Sequence, residues 1–514
     1  MPHMPSDPRD TNTSASAGAL IGTSDRPLRV AIVGAGPAGF YTVEALVKHK
    51  QIQADVDLFD RLPAPYGLVR YGVAPDHQKI KSVTVAYDRL GENPRVRFFG
   101  HVHVGHGDIS VEELIRHYDQ VVFAVGCETD RRLGIDGEDL RGSHPATSFV
   151  AWYNGHPDFR DYSVDLDAER AVVVGVGDVS LDIARMLLKG GQGLEGTDIA
   201  AHAHDVFHRS NVREIVVLGR RGPGQAAFAA KELEDIVDLP DVAVDIDLSQ
   251  VRADLESGEA LENLQRRKLE YLATLAAKPK AIAKKRVVFR FLTSPVEILE
   301  KDGRVTGVKI EHNEVVRDDK GRFVARGTGR FETIAAGLVF RSVGYRGVAI
   351  DGLPFDEKQG IVPNRDGRVL KNGEVWPNVY VSGWIKRGPS GVIGTNKSDA
   401  AATVQKMVED LAGRTDPGGT DKTRNAVDTL LRERGVRPVT FASWKRLDQL
   451  EKDRGAKIGK VREKFIHIDD MLSALAAAAH IHKSGSAASS PAQPQPHGQA
   501  NAQSTDDPDQ ADQT

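Results

Sequence analysis

Cysteine is almost missing from this chain of 514 residues: Cys127 is the single one. One thiol excludes an intrachain disulfide, a Cys-x-x-Cys redox pair and an iron–sulfur cluster held by this chain alone. It also points to a cytoplasmic setting. No run of about 18 apolar residues occurs, so no membrane span is expected. The first 26 residues are rich in Ser, Thr, Asp, Pro and Gly and have no apolar h-region, so they do not read as a secretory signal. They are expected to be a disordered tail. Residues 484–514, built from Ser, Ala, Gln, Pro and Asp, cannot build a core and are expected to be a second one. Charge of one sign is not in excess either. With 68 Lys and Arg against 72 Asp and Glu, the net charge is -4, which argues against wholesale nucleic-acid binding. What remains has the apolar share of a soluble globular protein, 40 %, and the length for two or three domains.

Two glycine-rich turns stand out against that background. The first, Gly34-Ala35-Gly36-Pro37-Ala38-Gly39, follows the strand-like run Val30-Ala31-Ile32-Val33. The second, Gly175-Val176-Gly177-Asp178-Val179-Ser180, follows Ala171-Val172-Val173-Val174 about 140 residues later. A strand, a tight turn and a helix start together present backbone N–H groups and a helix dipole to a pyrophosphate. One such turn is a weak signal. Two in this setting suggest a protein that holds two dinucleotides at once, a flavin and a nicotinamide, with hydride passing between them.

The residues downstream separate the two sites. A predicted helix over 37–48 and a strand at Val56–Phe59 end on Asp60, 21 residues after Gly39, where an acid meets an adenosine ribose hydroxyl. After the second turn, a helix over 178–189 and an insertion over 190–212 lead to Glu214-Ile215-Val216-Val217-Leu218 and then Gly219-Arg220-Arg221. Here the selecting position carries two guanidinium groups, which bind a 2′-phosphate where an acid would repel it, so NADP(H) is expected over NAD(H). Apolar strands break at Gly126 and Gly344, plausible crossing points into and out of an inserted domain. Residues 287–345 alternate as strands with turns at Asp302-Gly303 and Lys320-Gly321. The run Gly388–Asn396 opens a helix over 396–411, and its glycines admit close approach of a ligand. Residues 415–480 are the least legible.

Four stretches carry a family resemblance: Val33–Gly39, Pro65–His77, Gly219–Phe228 and Ser382–Asn396. By these the chain resembles the adrenodoxin-reductase-type ferredoxin–NADP⁺ reductases of bacteria and mitochondria, from about Arg29 to Leu472. The fold this implies is α/β, with two dinucleotide-binding, Rossmann-like domains and the NADP domain inserted into the FAD domain. The expected boundaries are 27–129 and 343–483 for FAD, the latter with a C-terminal cap, and 130–342 for NADP. FAD would be held by Gly34, Ala35, Gly36, Pro37, Ala38, Gly39, Asp60, Leu68, Val104, Trp384, Gly391, Val392 and Ile393. NADP(H) would be held by Arg131, Gly177, Asp178, Val179, Ser180, Arg220, Arg221, Glu232 and Gly391. The His and Asp implicated in catalysis in the family fall on His77 and Asp182. The family usually has Asn where this chain has Asp178, an acid that is awkward beside a pyrophosphate unless it points away or accepts N–H bonds.

The implied activity is hydride transfer between NADP(H) and FAD and one-electron transfer between FAD and an acidic ferredoxin, which needs no nucleophile, metal or thiol. A monomer or weak dimer is expected, with no nucleic-acid partner. Nine Lys or Arg between 266 and 290 (Arg266, Arg267, Lys268, Lys278, Lys280, Lys284, Lys285, Arg286, Arg290) against Glu270 could form a docking stripe for that acidic partner. A thioredoxin-reductase-type or glutamate-synthase-type reading fails for want of cysteines. An NADPH-dependent diaphorase or quinone reductase, and a non-enzymatic nucleotide-sensing flavoprotein, remain as alternatives.

Overall fold

The structure is a computed structural model, and it describes residues 18–105, 107–257, 261–278, 283–418 and 422–486. Two sheets organise it. The first has seven strands in the order Asn364–Arg365, Arg368–Lys371, Glu374–Val381, Gln120–Phe123, Leu28–Val33, Ala54–Asp60, Val96–Gly100, and its last five are parallel. Their apolar runs are buried on both faces, as parallel strands require. Helices Pro37–Val47 and Thr395–Leu411 cover one face through Phe40, Val43, Leu46, Val404 and Met407. Helices Val111–His117 and Ala426–Glu433 cover the other through Leu114, Val427 and Leu431.

The second sheet has six strands, all parallel, in the order Ser143–Pro145, Leu338–Arg341, Arg170–Val174, Glu214–Leu218, Lys285–Arg290, Val242–Ile246. Helix Asp178–Lys189 buries Leu181, Ala184 and Leu188 against one face. The opposite face is covered by sheet. Thr293–Lys301, Arg304–Arg317 and Phe323–Ala335 form an antiparallel meander whose Ile298, Val308, Ile310 and Ile334 pack on Val172, Val174 and Leu218. Asp302 and Gly303 make its first hairpin turn, both at positive φ.

The second sheet is wholly contained between strands of the first, so one Rossmann-type domain is inserted into the other. The two crossing segments meet as an antiparallel pair, Thr129–Asp130 with Tyr345–Arg346, just beyond the glycines at 126 and 344. The N-terminal tail ends earlier than the composition implies. Residues 18–26 are packed: Leu20 bridges Thr415, Ile21 is buried, and Arg26 is buried between Asp119 at 2.8 Å and Asp416. Those partners lie about 90 and 390 residues away, beyond any local reading. Residues 1–17 and 487–514 lie outside the described residues. The remainder of the C-terminal region forms helices Phe441–Ala456 and Ile468–Ser486. Among the described residues no helix is long and apolar enough to cross a membrane.

The two glycine turns differ in what each glycine avoids. A Cβ on Gly39 would lie 2.0 Å from the Gly34 carbonyl oxygen, whereas one on Gly177 meets nothing within 4 Å. Gly39→Ala is therefore expected to destabilise the fold by about 3 kcal/mol, and Gly177→Ala to stay within about 0.5 kcal/mol of the parent. Thermal unfolding of the two variants checks this contrast.

Candidate active site between two nucleotide cradles

The first cradle is built by backbone contacts around residues 34–39. Gly34, at φ +105°, lies against the backbone at Ala124, and its N–H donates to the Phe59 carbonyl at 2.8 Å. Gly36 starts the helix as its N-cap, with Pro37 at the first position where the missing N–H costs nothing. The nearest atom to a Cβ on Gly36 is the Cα of Gly67, 3.9 Å away, so this side of the turn is open. Asp60, at the end of the second strand, accepts from the Ala35 N–H and the Leu62 N–H, both at 2.9 Å. Burial raises its carboxyl to about 6, against the pull of those two N–H groups. The acid thus braces the turn.

Residues far along the chain complete this cradle. Gly383, at φ +79°, lets the chain pass so close to Ala38 that a Cβ would come within 2.5 Å of the alanine methyl. Trp384 follows, its indole N–H on the Ser390 carbonyl at 3.1 Å and its ring 5.3 Å from that of Tyr345. Gly391 is left-handed, the Val392 N–H donates to Thr395 Oγ1 at 3.1 Å, and the Val392 side chain is 63 % exposed. Ile393 is half-buried against the same core as Phe40. Leu68 opens the short helix Leu68–Tyr71, and Val104 bridges Ile109 at the edge of the opposite core.

The second cradle repeats the pattern with different chemistry. Gly175 lies against the Ser342 carbonyl, Gly177 is open, and the third glycine position is taken by buried Ser180, whose hydroxyl reaches the Gly177 N–H at 3.4 Å. Val179 is half-buried beside it. Asp178 points away from the turn and accepts the Ala229 N–H at 2.7 Å. That bond resolves the awkward acid: it ties helix Asp178–Lys189 to the start of helix Ala230–Val237. At the end of the next strand the carbonyls of Arg220 and Arg221 are fixed by the Asn313 amide at 2.9 Å and the Leu292 N–H at 3.1 Å. Arg221 Nη1 donates to the Phe323 carbonyl at 3.5 Å, and among the described residues neither guanidinium pairs with a carboxylate. Burial and the neighbouring Arg220 lower the Arg221 value, with no carboxylate among the causes. Two cations held together without an anion fit a phosphate group. Arg131 is exposed on the crossing segment, its N–H on the Gly344 carbonyl at 3.0 Å.

Between the cradles lies a cluster of charge. His77 comes from the first domain and Asp182 from the second, one helical turn past the glycines. Their Nδ1 and Oδ1 are 3.9 Å apart, close but beyond hydrogen-bond reach. His77 Nε2 lies 3.5 Å from Asp235. Burial lowers the His77 value, helped by Arg185 and opposed by the surrounding carboxylates, so the ring is neutral at pH 7. Arg185 is the centre: only 1 % exposed, it makes two bonds to Asp76 at 2.9 and 3.0 Å, one to Asp182 at 2.6 Å and one to Glu232 at 3.0 Å. Lys189 adds a contact to Asp76 at 2.8 Å. The structure brings His77 and Asp182 together here, joins to them Glu232, which the resemblance assigned to NADP(H), and adds Arg185, Asp76 and Asp235, which sequence reasoning missed. The signal was present: Arg185 follows Asp182 by three residues on one helix face, and Asp76 precedes His77.

These features bear on the comparisons with known proteins. The family described as pyridine nucleotide-disulphide oxidoreductase matches residues 28–234. The NADPH-ferredoxin reductase FprA of Mycobacterium tuberculosis is 44 % identical over 457 residues, 87 % of this chain and 99 % of that one. The chain belongs to the adrenodoxin-reductase-type ferredoxin–NADP⁺ reductases. The mitochondrial NADPH:adrenodoxin oxidoreductase of Arabidopsis thaliana is 40 % identical over 469 residues, covering 88 % of this chain and 96 % of that one. A solved structure of Mycobacterium tuberculosis FprA in complex with NADPH superimposes with a TM-score of 0.82 at 42 % identity, over 88 % of this chain and all of that one.

Within this family member the basic run at 266–290 does not form one stripe. Lys268 is buried with its ammonium on the Ala226 carbonyl, Lys285 donates to the Leu188 carbonyl at 2.6 Å, and Arg290 pairs with Glu332 at 2.6 Å. Lys284 lies 3.3 Å from Asp241, and Lys280 is outside the described residues. Arg266, Arg267, Lys278 and Arg286 remain exposed. Cys127 is buried, and burial pushes its thiol up to about 12, which removes it as a nucleophile.

Burial, then nearby Asp182, raises the Glu232 carboxyl from 4.5 to about 7, against Arg185. A carboxyl raised on folding contributes stability that is full below about pH 4.5 and is lost as the pH climbs through about 7. Between pH 5 and pH 8 the Glu232→Gln variant is thus expected to gain about 1–3 kcal/mol on the parent. Thermal unfolding of both proteins at the two pH values measures it.

Proposed function

We propose that this protein is an FAD-dependent ferredoxin–NADP⁺ reductase. One observation carries the reading: two glycine cradles, one braced by an acid and one flanked by two unneutralised guanidiniums, are locked together through Arg185. Bound together, FAD and NADP(H) supply hydride exchange and the release of electrons singly to an iron–sulfur protein. The chain supplies binding and alignment. The open turn at Gly36 and the N-terminus of helix Pro37–Val47 hold the FAD pyrophosphate, with Asp60 at the ribose and Leu68 and Val104 beside it. Gly177, Asp178, Val179 and Ser180 do the same for NADP(H), while Arg220 and Arg221 grip its 2′-phosphate and Arg131 lies on the approach. Trp384 and Gly391 to Ile393 would contact the FAD, and Gly391 the NADP(H) as well.

His77 and Asp182 meet at the junction of the two domains, where they would stand beside the flavin and nicotinamide. With the His77 ring neutral, one of its nitrogens carries the proton, and Asp235 lies nearest to it, 3.5 Å from Nε2. Glu232, raised by burial, donates or accepts a hydrogen bond near neutral pH. The partner follows from the family: a ferredoxin, recognised in part by the exposed Arg266, Arg267, Lys278 and Arg286. The compartment follows from the single reduced thiol and is the cytoplasm. The exposure of Val392 beside Gly391 also favours a second reading, diaphorase activity, because small acceptors reach an edge that is open there.

Anaerobic stopped-flow absorbance tests the proposal. Fast bleaching of the bound flavin by NADPH, and slow bleaching by NADH, is expected; no bleaching with either nucleotide overturns the enzyme. Each phosphate-directed guanidinium contributes about 1.5–3 kcal/mol. The double variant Arg220→Ala, Arg221→Ala should therefore raise the KM for NADPH by about 100-fold or more while leaving NADH unchanged. Equal loss with both nucleotides would remove the 2′-phosphate assignment.

A further inference from the structure

A second charge cluster lies behind the His77 turn and plays no part in the scheme above. Asp198 sits in the insertion between helices Asp178–Lys189 and Ala201–His208 and is 3 % exposed. Its Oδ1 and Oδ2 accept from Lys81 Nζ at 2.7 and 2.8 Å, and Lys464 Nζ lies 3.1 Å from Oδ2. Lys81 ends the short helix Gln78–Lys81, which begins immediately after His77. Lys464 comes from the C-terminal segment between helices Phe441–Ala456 and Ile468–Ser486. Gln78 closes the arrangement, its amide donating to the Pro75 carbonyl at 2.8 Å and to Asp198 at 3.2 Å.

The turn that carries His77 is consequently gripped on both sides. Before it, Asp76 is held by Arg185 and Lys189. After it, Gln78 and Lys81 are held by Asp198. Lys464 also donates to the carbonyls of Asn154 at 3.0 Å and Arg70 at 3.3 Å, one in each nucleotide domain. The segment that delivers it is anchored in turn. Glu451, fully buried, binds Arg70 at 2.6 and 2.8 Å, Arg462 at 3.0 Å and the Phe465 N–H at 3.0 Å. Burying charge costs several kcal/mol per ion, and apolar side chains of similar volume would stabilise a junction as well. What ionic bonds add is direction: they fix a distance and an angle where apolar contact allows slip.

We propose that Asp198, pinned by Lys464 of the C-terminal cap, is a positioning residue that sets the place of His77 against the Asp182 helix. This rests on the reductase reading, in which His77 stands beside the reacting rings. The least legible part of the chain then has a task. It fixes the angle between the two nucleotide domains by reaching into their junction with one ammonium group.

The test uses the flavin-loaded full-length protein. Lys464→Met removes one of two cations facing Asp198 and leaves the Lys81–Asp198 pair balanced, so a folded variant is expected. Its limiting rate of flavin bleaching at saturating NADPH should fall about tenfold, with the dissociation constant for NADP⁺ changed less than twofold. Lys464→Arg should restore most of the rate. An unchanged limiting rate in the flavin-loaded Lys464→Met protein overturns the proposal, and so does a loss confined to nucleotide affinity. Should Lys464→Met not retain flavin, Asp198→Asn keeps the shape of the residue but removes the charge that Lys464 and Lys81 meet, and should slow bleaching about threefold or more; no slowing there is equally decisive against it. A parent protein whose flavin NADPH does not bleach would instead refute the reductase reading itself.

Discussion

The buried Arg185 guanidinium ties the two halves of this protein together beside the His77 turn. Arg185 is almost fully buried, and its donors are spent on Asp76, Asp182 and Glu232. Asp76 belongs to the first nucleotide domain, and the other three belong to the second. The pairing is expensive to desolvate and costly to break, about 3–5 kcal/mol when one partner of a buried pair is lost. It persists because the charges are mutually satisfied. Everything proposed about hydride transfer depends on it, since it sets where His77 lies relative to the helix that opens the second cradle.

Around that centre the chemistry is produced by omission as much as by side chains. At Gly34 and Gly383 the backbone passes so close to other chain that no Cβ would fit. At Gly36 and Gly177 the missing Cβ instead leaves an open face over a helix N-terminus. The same residue type thus does two jobs, one of packing and one of access. The following strands end differently: on Asp60, braced by two N–H groups, in one domain, and just before Arg220 and Arg221 in the other.

Reading along the chain recovered the elements whose signals are local. The two strand–turn–helix units, the helix over 178–189, the hairpin at Asp302-Gly303 and the crossings beyond Gly126 and Gly344 all follow from periodicity and turn chemistry. The basic run is only partly exposed, because Lys268, Lys285 and Arg290 are committed to carbonyls and to Glu332 that other elements bring up. The packed segment 18–26 was missed for the same reason, since Arg26 finds its acids at Asp119 and Asp416. Asp178, which looked out of place beside a pyrophosphate, is explained by an N–H donor 51 residues away.

The sequence by itself determined that there are two nucleotide-binding turns and that no intrachain disulfide can form, because glycine spacing and a residue count are local properties. Only the tertiary structure decided how those sites are joined. The contacts that do so, Arg185 with Asp76 and Asp198 with Lys81 and Lys464, link residues from about 110 to about 270 positions apart. No periodicity or motif encodes such partners. They are set by which faces of two sheets the chain brings together, where a buried charge must find its counter-ion or remain in water.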